Sequence, residues 1–504
     1  MIKKIYTSDI STSHPGIGKV YATDYYYTQL ANKLLDDFKK ANVDFEDSTA
    51  NIMRYAAISL TLYMEDIVAD SGQWRMFSDL CHEMFGWPVP MYHDETEEYY
   101  PDEPSLMAVR YIIWHAANEM KGIWWNPDYD KLDTLATVAY QRLSDEFEKA
   151  PINEQLTEDV ETLMKESEED FNKMRYALIW FITNCYIIRT ARSEDFLINS
   201  MEDTESLKDM MSDERMRRFY TYMTSIFAYK FGPLALYPKQ YLAALARAKS
   251  MEKMAKALDE IEVIPIHAFR YTASEDGQTL HMECTNGRTI DVPRNEFTLE
   301  DDKLFSTNCC FASFVYYQGK WRLNGVMSAI KNTEGIWEDL CKKAPDYIPE
   351  GQAVADADWY IRHTGGKQLL FFKDATELKK YMVEKMHFNM DMLSSYGKEK
   401  DQDQPTMLFI DKDEPKDCLH ISYGFCPCIK APENPFYDQQ TAIEEAVEML
   451  WHDQSVSTGA ALYLLDKGYV PDILNDKLIS QKGTLQTRDS DARFLLRYMR
   501  QYKY

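Results

Sequence analysis

The hydrophobic pattern of this chain changes its period near Glu262, and this change limits the fold more than any other feature of the sequence. Before that point, apolar residues recur every three or four positions over long stretches, which is typical of amphipathic helices. After it, apolar and polar residues alternate in short runs, which is typical of strands with one buried face. The pattern therefore predicts an α+β protein rather than an all-helical or an all-β one.

The helical pattern predicts a mostly helical N-terminal domain over residues 1–260. The segments with the clearest spacing are Tyr25–Lys40, Thr49–Ala69, Glu103–Lys121, Tyr129–Lys149 and Leu156–Thr190. The longest apolar run, Tyr176–Ile188, contains Thr and Asn and is shorter than the roughly 20 residues that cross a bilayer. It therefore predicts a buried helix, and no membrane association is expected.

Alternating runs with turn dipeptides between them predict a small antiparallel, β-barrel-like module over residues 261–345. Asp276-Gly277 and Asn286-Gly287 both favour tight hairpins. The predicted strands are Val263–Tyr271, Thr279–Cys284, Thr289–Val292, Cys310–Tyr317 and Lys320–Asn324. Residues 346–504 mix strand and helix patterns and end in helices, which predicts a third, mixed α+β domain.

Charge restricts the partners that the chain is expected to bind. Lys and Arg number 56 against 82 Asp and Glu, for a formal net charge of −26 at pH 7. Such a surface repels nucleic-acid phosphates and anionic lipids, so both are disfavoured as partners. The N-terminus has no apolar segment typical of a secretory signal, and the nine cysteines follow no disulfide spacing. We therefore expect a cytoplasmic protein with reduced thiols.

A basic stripe near the C-terminus is the main exception to the acidic composition. Arg493, Arg497 and Arg500 recur at three- and four-residue spacing, so they share one face of a predicted helix. In a chain with this net charge, such a stripe favours contact with the acidic helical half of the same chain, or with a partner protein, over contact with RNA.

Several short motifs resemble a known family. They are Leu62–Val68 with Gly72-x-Trp74, Tyr99–Glu103, Ile113–His115 and Asn434–Tyr437. These motifs are similar to those of an uncharacterised family from gut Bacteroidetes that is defined only as a domain of unknown function. The resemblance covers most of the helical half and implies a cytosolic bacterial protein. It implies no activity, cofactor or functional residue.

Common catalytic motifs do not occur in the sequence. It contains no phosphate-binding loop G-x-x-x-x-G-K-[ST], no dinucleotide motif G-x-G-x-x-G, no zinc-protease motif H-E-x-x-H and no hydrolase motif G-x-S-x-G. These absences lower the expectation of an enzyme without excluding one.

Polar residues within apolar helices form the first candidate site. Glu65 and Asp66 interrupt the apolar run Leu60–Val68, and on a later helix His115 and Glu119 share one face at four-residue spacing. A carboxylate among apolar groups has a raised pKa and can act as an acid, a base or a metal ligand. The more frequent explanation is structural, in which Glu65 or Asp66 caps a helix or contacts a nearby Arg or Trp.

Cysteine and histidine at two-residue spacing form the second candidate site, a zinc centre. Cys418 and His420 occupy alternate positions of a predicted strand, and Cys426 and Cys428 follow after a predicted turn. If the chain turns there, three thiols and one imidazole converge as a tetrahedral zinc site. The spacing differs from the usual C-x₂-C motif, so cysteines that fill a sheet core are the alternative. No other cofactor is expected.

Three functions remain open from the sequence. The first is a binding or regulatory protein that acts through protein–protein contacts, favoured by an acidic and aromatic-rich composition. The second is a hydrolase-type enzyme that uses Glu65, Asp66 and His115 or a bound metal. The third is single-stranded nucleic-acid binding by the β module. The aromatic residues considered for base stacking are Phe269, Tyr271, Phe314, Tyr316 and Trp321.

Overall fold

The structure, a computed structural model, describes residues 3–16, 19–94, 98–119, 124–208, 211–297, 308–325, 327–330, 333–344, 356–387, 403–414, 418–452, 455–470 and 477–504. The chain forms two compact units, Met1–Tyr347 and Ile348–Tyr504. Helices dominate the first unit and are followed by a nearly closed antiparallel sheet, and the second unit has a small sheet of its own. The predicted α+β class is therefore confirmed, while the division into three domains stays a prediction.

The first unit buries large aromatic side chains between its helices, among them Trp74, Trp114 and Trp180. Burial of an aromatic side chain of this size stabilises the fold by about 2–3 kcal/mol. None of the described helices combines the length and hydrophobicity needed to cross a bilayer. The helices are α1 Thr7–Ser11, α2 Asp24–Ala41, α3 Thr49–Ala69, α4 Gln73–Phe85, α5 Leu106–Asn118, α6 Asp130–Phe147, α7 Glu154–Glu169, α8 Phe171–Thr183, α9 Ala191–Glu202, α10 Glu214–Ala228, α11 Pro238–Ala248, α12 Glu252–Asp259 and, after the sheet, α13 Ile336–Lys343.

The predicted helical segment Leu156–Thr190 is interrupted, so this part of the sequence prediction is wrong. Asp170 separates α7 from α8 because its backbone is extended, with φ −129° and ψ 125°. Its carboxylate accepts the backbone N–H groups of Asn172 and Lys173 and thereby caps α8. Both helices bury an apolar face, so the three- and four-residue spacing continues across the break and periodicity alone does not reveal it.

Six strands of the first unit form one antiparallel sheet in the order β3-β2-β1-β4-β5, with β6 paired to β4. Contacts between β3 and β5 bring the two edges of this sheet together, as in a small barrel. Strands β1 to β5 agree with the five predicted ones to within two residues at each end, whereas β6 was not predicted. They are β1 Glu262–Ala273, β2 Thr279–Cys284, β3 Thr289–Pro293, β4 Cys309–Tyr317, β5 Lys320–Leu323 and β6 Ser328–Ile330.

The interior of this β module contains most of the aromatic side chains that were considered for base stacking. Phe269, Tyr271 and Phe314 are at most 3% exposed and belong to one core cluster. Nearby cations also have partners, since carboxylates pair with three arginines: Arg270 with Glu283, Arg288 with Glu262, and Arg322 with Glu296. The nucleic-acid hypothesis therefore gains no support from the described part of the module.

The start of β1 and the end of β5 meet at Ser313 on β4. The Ser313 hydroxyl donates to the carbonyl of Ile264, near the start of β1, at 2.8 Å. The Ser313 carbonyl accepts the N–H of Asn324, directly after β5, also at 2.8 Å. The chain therefore enters β1 and leaves β5 at neighbouring positions, and β6 then returns to pair with the other end of β4.

The second unit has a three-stranded antiparallel sheet in the order β7-β8-β9. One face of this sheet forms a core with helix residues that include Leu378 and Met382. The strands are β7 Leu369–Phe372, β8 Thr406–Ile410 and β9 Leu419–Tyr423. The helices are α14 Ala357–His363, α15 Ala375–Met386, α16 Gln439–Trp451, α17 Thr458–Asp466 and α18 Leu485–Arg500.

The basic stripe lies on α18, and two of its arginines have partners within the second unit. Arg493 pairs with Asp466 and Asp489 at 2.8 and 2.9 Å. Arg500 is buried, and its guanidinium donates to backbone carbonyls at and after the C-terminal end of α16. The contacts of these arginines are thus intramolecular, with groups close to α18 in the same unit.

Candidate functional site

Glu65 lies in a buried polar cluster in the first unit. It belongs to α3, a helix that is buried along most of its length. Its Oε2 lies 2.9 Å from Nε2 of His14, and its Oε1 accepts a hydrogen bond from Nδ2 of Asn153 at 2.7 Å. Both carboxylate oxygens of Glu65, within an apolar helix, thus contact polar partners that are 51 and 88 residues away in the sequence.

Asp24, the first residue of α2, completes this cluster. One possible ligand atom from each of His14, Asp24 and Glu65 lies within 4.8 Å of the others, and the three residues are 0–2% exposed. We call these three residues the N-terminal cluster. Burial raises the pKa of Asp24; the N–H of Tyr21 and the imidazole of His14 oppose this shift, and the charge of Glu65 adds to it.

Two polar atoms of the N-terminal cluster have no hydrogen-bond partner among the described residues. Nδ1 of His14 and Oδ1 of Asp24 are both buried and unpartnered. Such atoms cost about 1–3 kcal/mol each in a protein interior, so a cation or donor that reaches them would stabilise the cluster.

The segment that carries His14 is fixed by contacts with neighbouring elements. Nε1 of Trp180 on α8 donates to the carbonyl of Ser13 at 3.2 Å. The ring of Tyr21 lies 4.5 Å from the imidazole of His14, centroid to centroid, and its hydroxyl donates to Asp159 at 2.7 Å. These contacts hold the imidazole in one position and cover it from solvent.

Asp66, the neighbour of Glu65 in the sequence, has a different environment. Its carboxylate accepts the backbone N–H groups of Gln73 and Trp74 at 3.1 and 2.6 Å. It also accepts the hydroxyls of Ser71 and Tyr186 at 2.5 and 3.0 Å. The two N–H groups belong to the first turn of α4, so Asp66 caps that helix. Burial raises the pKa of Asp66, and the four donors oppose this shift.

His115 and Glu119 lie apart from the N-terminal cluster. His115 is fully buried on α5, and its ring stacks on Tyr111 with the centroids 6.0 Å apart. Burial lowers the pKa of His115 to about 3, so the ring is neutral near pH 7. The Glu119 carboxylate accepts the backbone N–H of Ala191 at the start of α9. Of the four residues in the first candidate site, the structure places only Glu65 in the cluster.

The residues of the predicted zinc centre are also divided among different surroundings. Cys418 belongs to a core cluster with Leu408 on β8, and Cys426 and Cys428 are buried in a short 3₁₀ turn. His420 instead lies beside two carboxylates. Among the residues that the structure describes, no group of three ligand atoms within 4.8 Å of one another includes a cysteine.

Sequence reasoning did not identify His14 and Asp24. His14 follows a short helix in an irregular segment, and Asp24 begins a helix, where Asp is common for reasons of capping. Neither position therefore has a pattern of its own. The one local signal was the charge of Glu65 in an apolar helix, because a buried carboxylate requires partners.

A family model described as "Protein of unknown function (DUF3843)" matches residues 4–264 and 325–501. The matched residues include the whole N-terminal cluster. The match passes over residues 265–324, which contain most of β1 and all of β2 to β5. No curated protein and no solved structure matches the chain.

Proposed function

The chain belongs to this family of proteins of unknown function, and from its own residues we propose that it binds a divalent transition metal at the N-terminal cluster. The observation that carries the proposal is the grouping of His14, Asp24 and Glu65, which each offer a possible ligand atom within 4.8 Å of the others, while Nδ1 of His14 and Oδ1 of Asp24 are buried without a hydrogen-bond partner among the described residues. Imidazole and carboxylate together suit zinc, manganese and iron(II). Ligands bound at about 2.0–2.2 Å lie at most about 4.4 Å apart, so small shifts bring these atoms onto one ion.

The charge balance of the cluster also favours a cation. Two carboxylates, those of Asp24 and Glu65, lie beside one imidazole, and the three side chains are almost fully buried. Burial raises the pKa of Asp24, because the ionised carboxylate is costly without water around it. A divalent ion beside the two carboxylates would offset that cost.

Burial supports a structural metal more than a catalytic one. The ligand atoms have no exposed side from which a substrate would approach. They come from the N-terminal segment, α2 and α3, so a shared metal fastens that segment to two helices.

The hydrolase-type enzyme and the protein-binding module stay predictions, as do the cytoplasmic location and the Bacteroidetes origin.

Metal content of the purified chain tests this proposal. Wild-type protein prepared without an affinity tag or chelator should contain a tightly held metal, measured by mass spectrometry. Asp24→Asn preserves the side-chain volume but removes a charged ligand, and should lower occupancy of this site at least about tenfold. Glu119→Gln and Cys426→Ser serve as controls and should retain the metal. Equal metal content in wild type and Asp24→Asn, or failure of wild type to take up added zinc or manganese, would contradict the proposal.

Stability should depend on the same metal. A ligand at 100 times its Kd stabilises the folded state by about 2.7 kcal/mol, so EDTA should lower the free energy of unfolding of wild type by a comparable amount. In Asp24→Asn, EDTA should no longer lower the stability of the first unit. If EDTA has no effect on wild type, and Asp24→Asn is the more stable protein, the two carboxylates share a proton instead of a metal.

A further inference from the structure

A second group of metal-binding side chains lies in the other unit, at the hairpin of β8 and β9. Nε2 of His420 lies 3.2 Å from Oε2 of Glu414 and 4.0 Å from Oδ2 of Asp411. The three ligand atoms all lie within 4.8 Å of one another. We call these residues the hairpin cluster. It shares no residue with the N-terminal cluster, and His420 is the one member that the sequence had already indicated as a ligand.

The register of the hairpin brings Asp411 and His420 together. His420 lies opposite Phe409 in the ladder, and Asp411 follows two positions after Phe409, so the two residues share one face of the hairpin. The N–H of Asp411 donates to the carbonyl of Cys418 at 2.7 Å, which extends the pairing by one step. The imidazole also stacks over the ring of Phe409, with centroids 6.5 Å apart. The β ladder therefore orients His420.

The carboxylate of Asp411 is also fixed by its contacts. It is 5% exposed, and its Oδ1 accepts the N–H of Asp413 at 2.9 Å. Its Oδ2 lies against Gly459, where the Cβ of an alanine would be only 1.7 Å away. Gly459 is in the first turn of α17, and the N-terminal end of a helix favours a negative charge. The carboxylate is thus fixed beside His420.

The contact between the imidazole and the carboxylates differs from that of a hydrogen-bonded pair. Nε2 of His420 is buried and makes no hydrogen bond with any described residue, although Oε2 of Glu414 is 3.2 Å away. In a hydrogen bond the N–H points along the line to its acceptor. Here the nitrogen and the oxygens lie close together without that alignment, as ligand atoms do when they share a metal ion.

We propose that Asp411, Glu414 and His420 form a second site for a divalent metal ion, open to solvent on one side. The Glu414 side chain is 58% exposed, so water reaches this edge of the cluster and completes the coordination. Metal at this site therefore exchanges with the solution faster than metal in the buried N-terminal cluster. One imidazole and two carboxylates suit manganese(II) and zinc. This proposal does not depend on the proposed function, since the ligands belong to another unit.

Manganese titration of the full-length Asp24→Asn variant isolates the hairpin cluster. Electron paramagnetic resonance should show one exchangeable Mn²⁺ per chain, with pulsed spectra that contain the coupling of an imidazole nitrogen. His420→Gln should remove that coupling and weaken binding about tenfold or more. Glu414→Gln changes an exposed side chain, so it should weaken binding without affecting folding. His363→Gln alters an exposed histidine of the same unit outside the cluster and should leave both signals unchanged.

Two results would overturn the proposal. One is the absence of Mn²⁺ binding by Asp24→Asn while the protein is folded by circular dichroism. The other is binding of equal strength in wild-type, His420→Gln and Glu414→Gln backgrounds, which would indicate adventitious surface binding. Metal that stays bound to wild type through buffer exchange and is lost in Asp24→Asn reports on the N-terminal cluster alone, so either site can fail without the other.

Discussion

Replacement of Arg500 by methionine should lower the free energy of unfolding of the second unit by about 3–5 kcal/mol. Arg500 is 1% exposed. Its Nε and Nη2 donate to the carbonyl of Leu450 at 3.0 and 2.8 Å, and its Nη1 donates to the carbonyl of Val456 at 2.7 Å. Leu450 is in the last turn of α16, where carbonyls have no partner within the helix and carry partial negative charge. Methionine fills a similar volume but leaves these buried carbonyls without donors.

Arg493→Met is the matched control for this prediction, because it removes a guanidinium from the same helix. Its partners Asp466 and Asp489 lie near the surface, so the expected change is below about 1 kcal/mol. Chemical denaturation followed by circular dichroism measures both variants. An equal loss in the two proteins would show that α18 requires positive charge in general, and the specific role of the Arg500 hydrogen bonds would be refuted.

Asp66→Ala should destabilise the first unit by a similar amount, about 3–5 kcal/mol. The substitution removes the acceptor for two backbone N–H groups of α4 and for the hydroxyls of Ser71 and Tyr186. All of these donors are buried, so water does not replace the lost carboxylate. Loss of the cap alone contributes about 1 kcal/mol, and the unsatisfied donors contribute the rest.

Hydrogen exchange shows where the stability is lost. In Asp66→Ala, the amides in the first turn of α4 should exchange faster than in wild type, because that turn loses its cap. Asp102→Ala is the control, since Asp102 is exposed and lies 3.9 Å from Arg75; it should change stability by less than about 0.5 kcal/mol. A loss below 1 kcal/mol in Asp66→Ala would mean that the buried donors find other partners.

Local patterns were sufficient to predict β1 to β5, but not the short strand β6. Each of these five strands has its alternation and its turn residues, such as Asn286-Gly287, within a few positions, so their bounds could be predicted closely. The break at Asp170 was missed because one extended residue does not disturb the spacing on either side. Its signal was weak: an Asp that could serve as an N-cap within a segment already rich in acidic residues.

Contacts between distant segments could not be predicted in the same way. Glu65 was identified because a charge in an apolar helix is unusual, but nothing local indicates His14 as its partner. The two-residue spacing of Cys418 and His420 predicted a shared face, whereas Cys418 belongs to the core of the sheet. Asp411 comes beside His420 only through the pairing of β8 with β9, which one sequence does not specify.

The meeting of Ile264 and Asn324 at Ser313 brings two distant points of the chain side by side. Removal of the residues between them would leave ends that a short turn could join. It would also remove β4, the partner of β6, and the hydroxyl of Tyr317, which donates to the carbonyl of Ser167 on α7. The strands between these two points are therefore part of the packing of the first unit and cannot be exchanged independently of it.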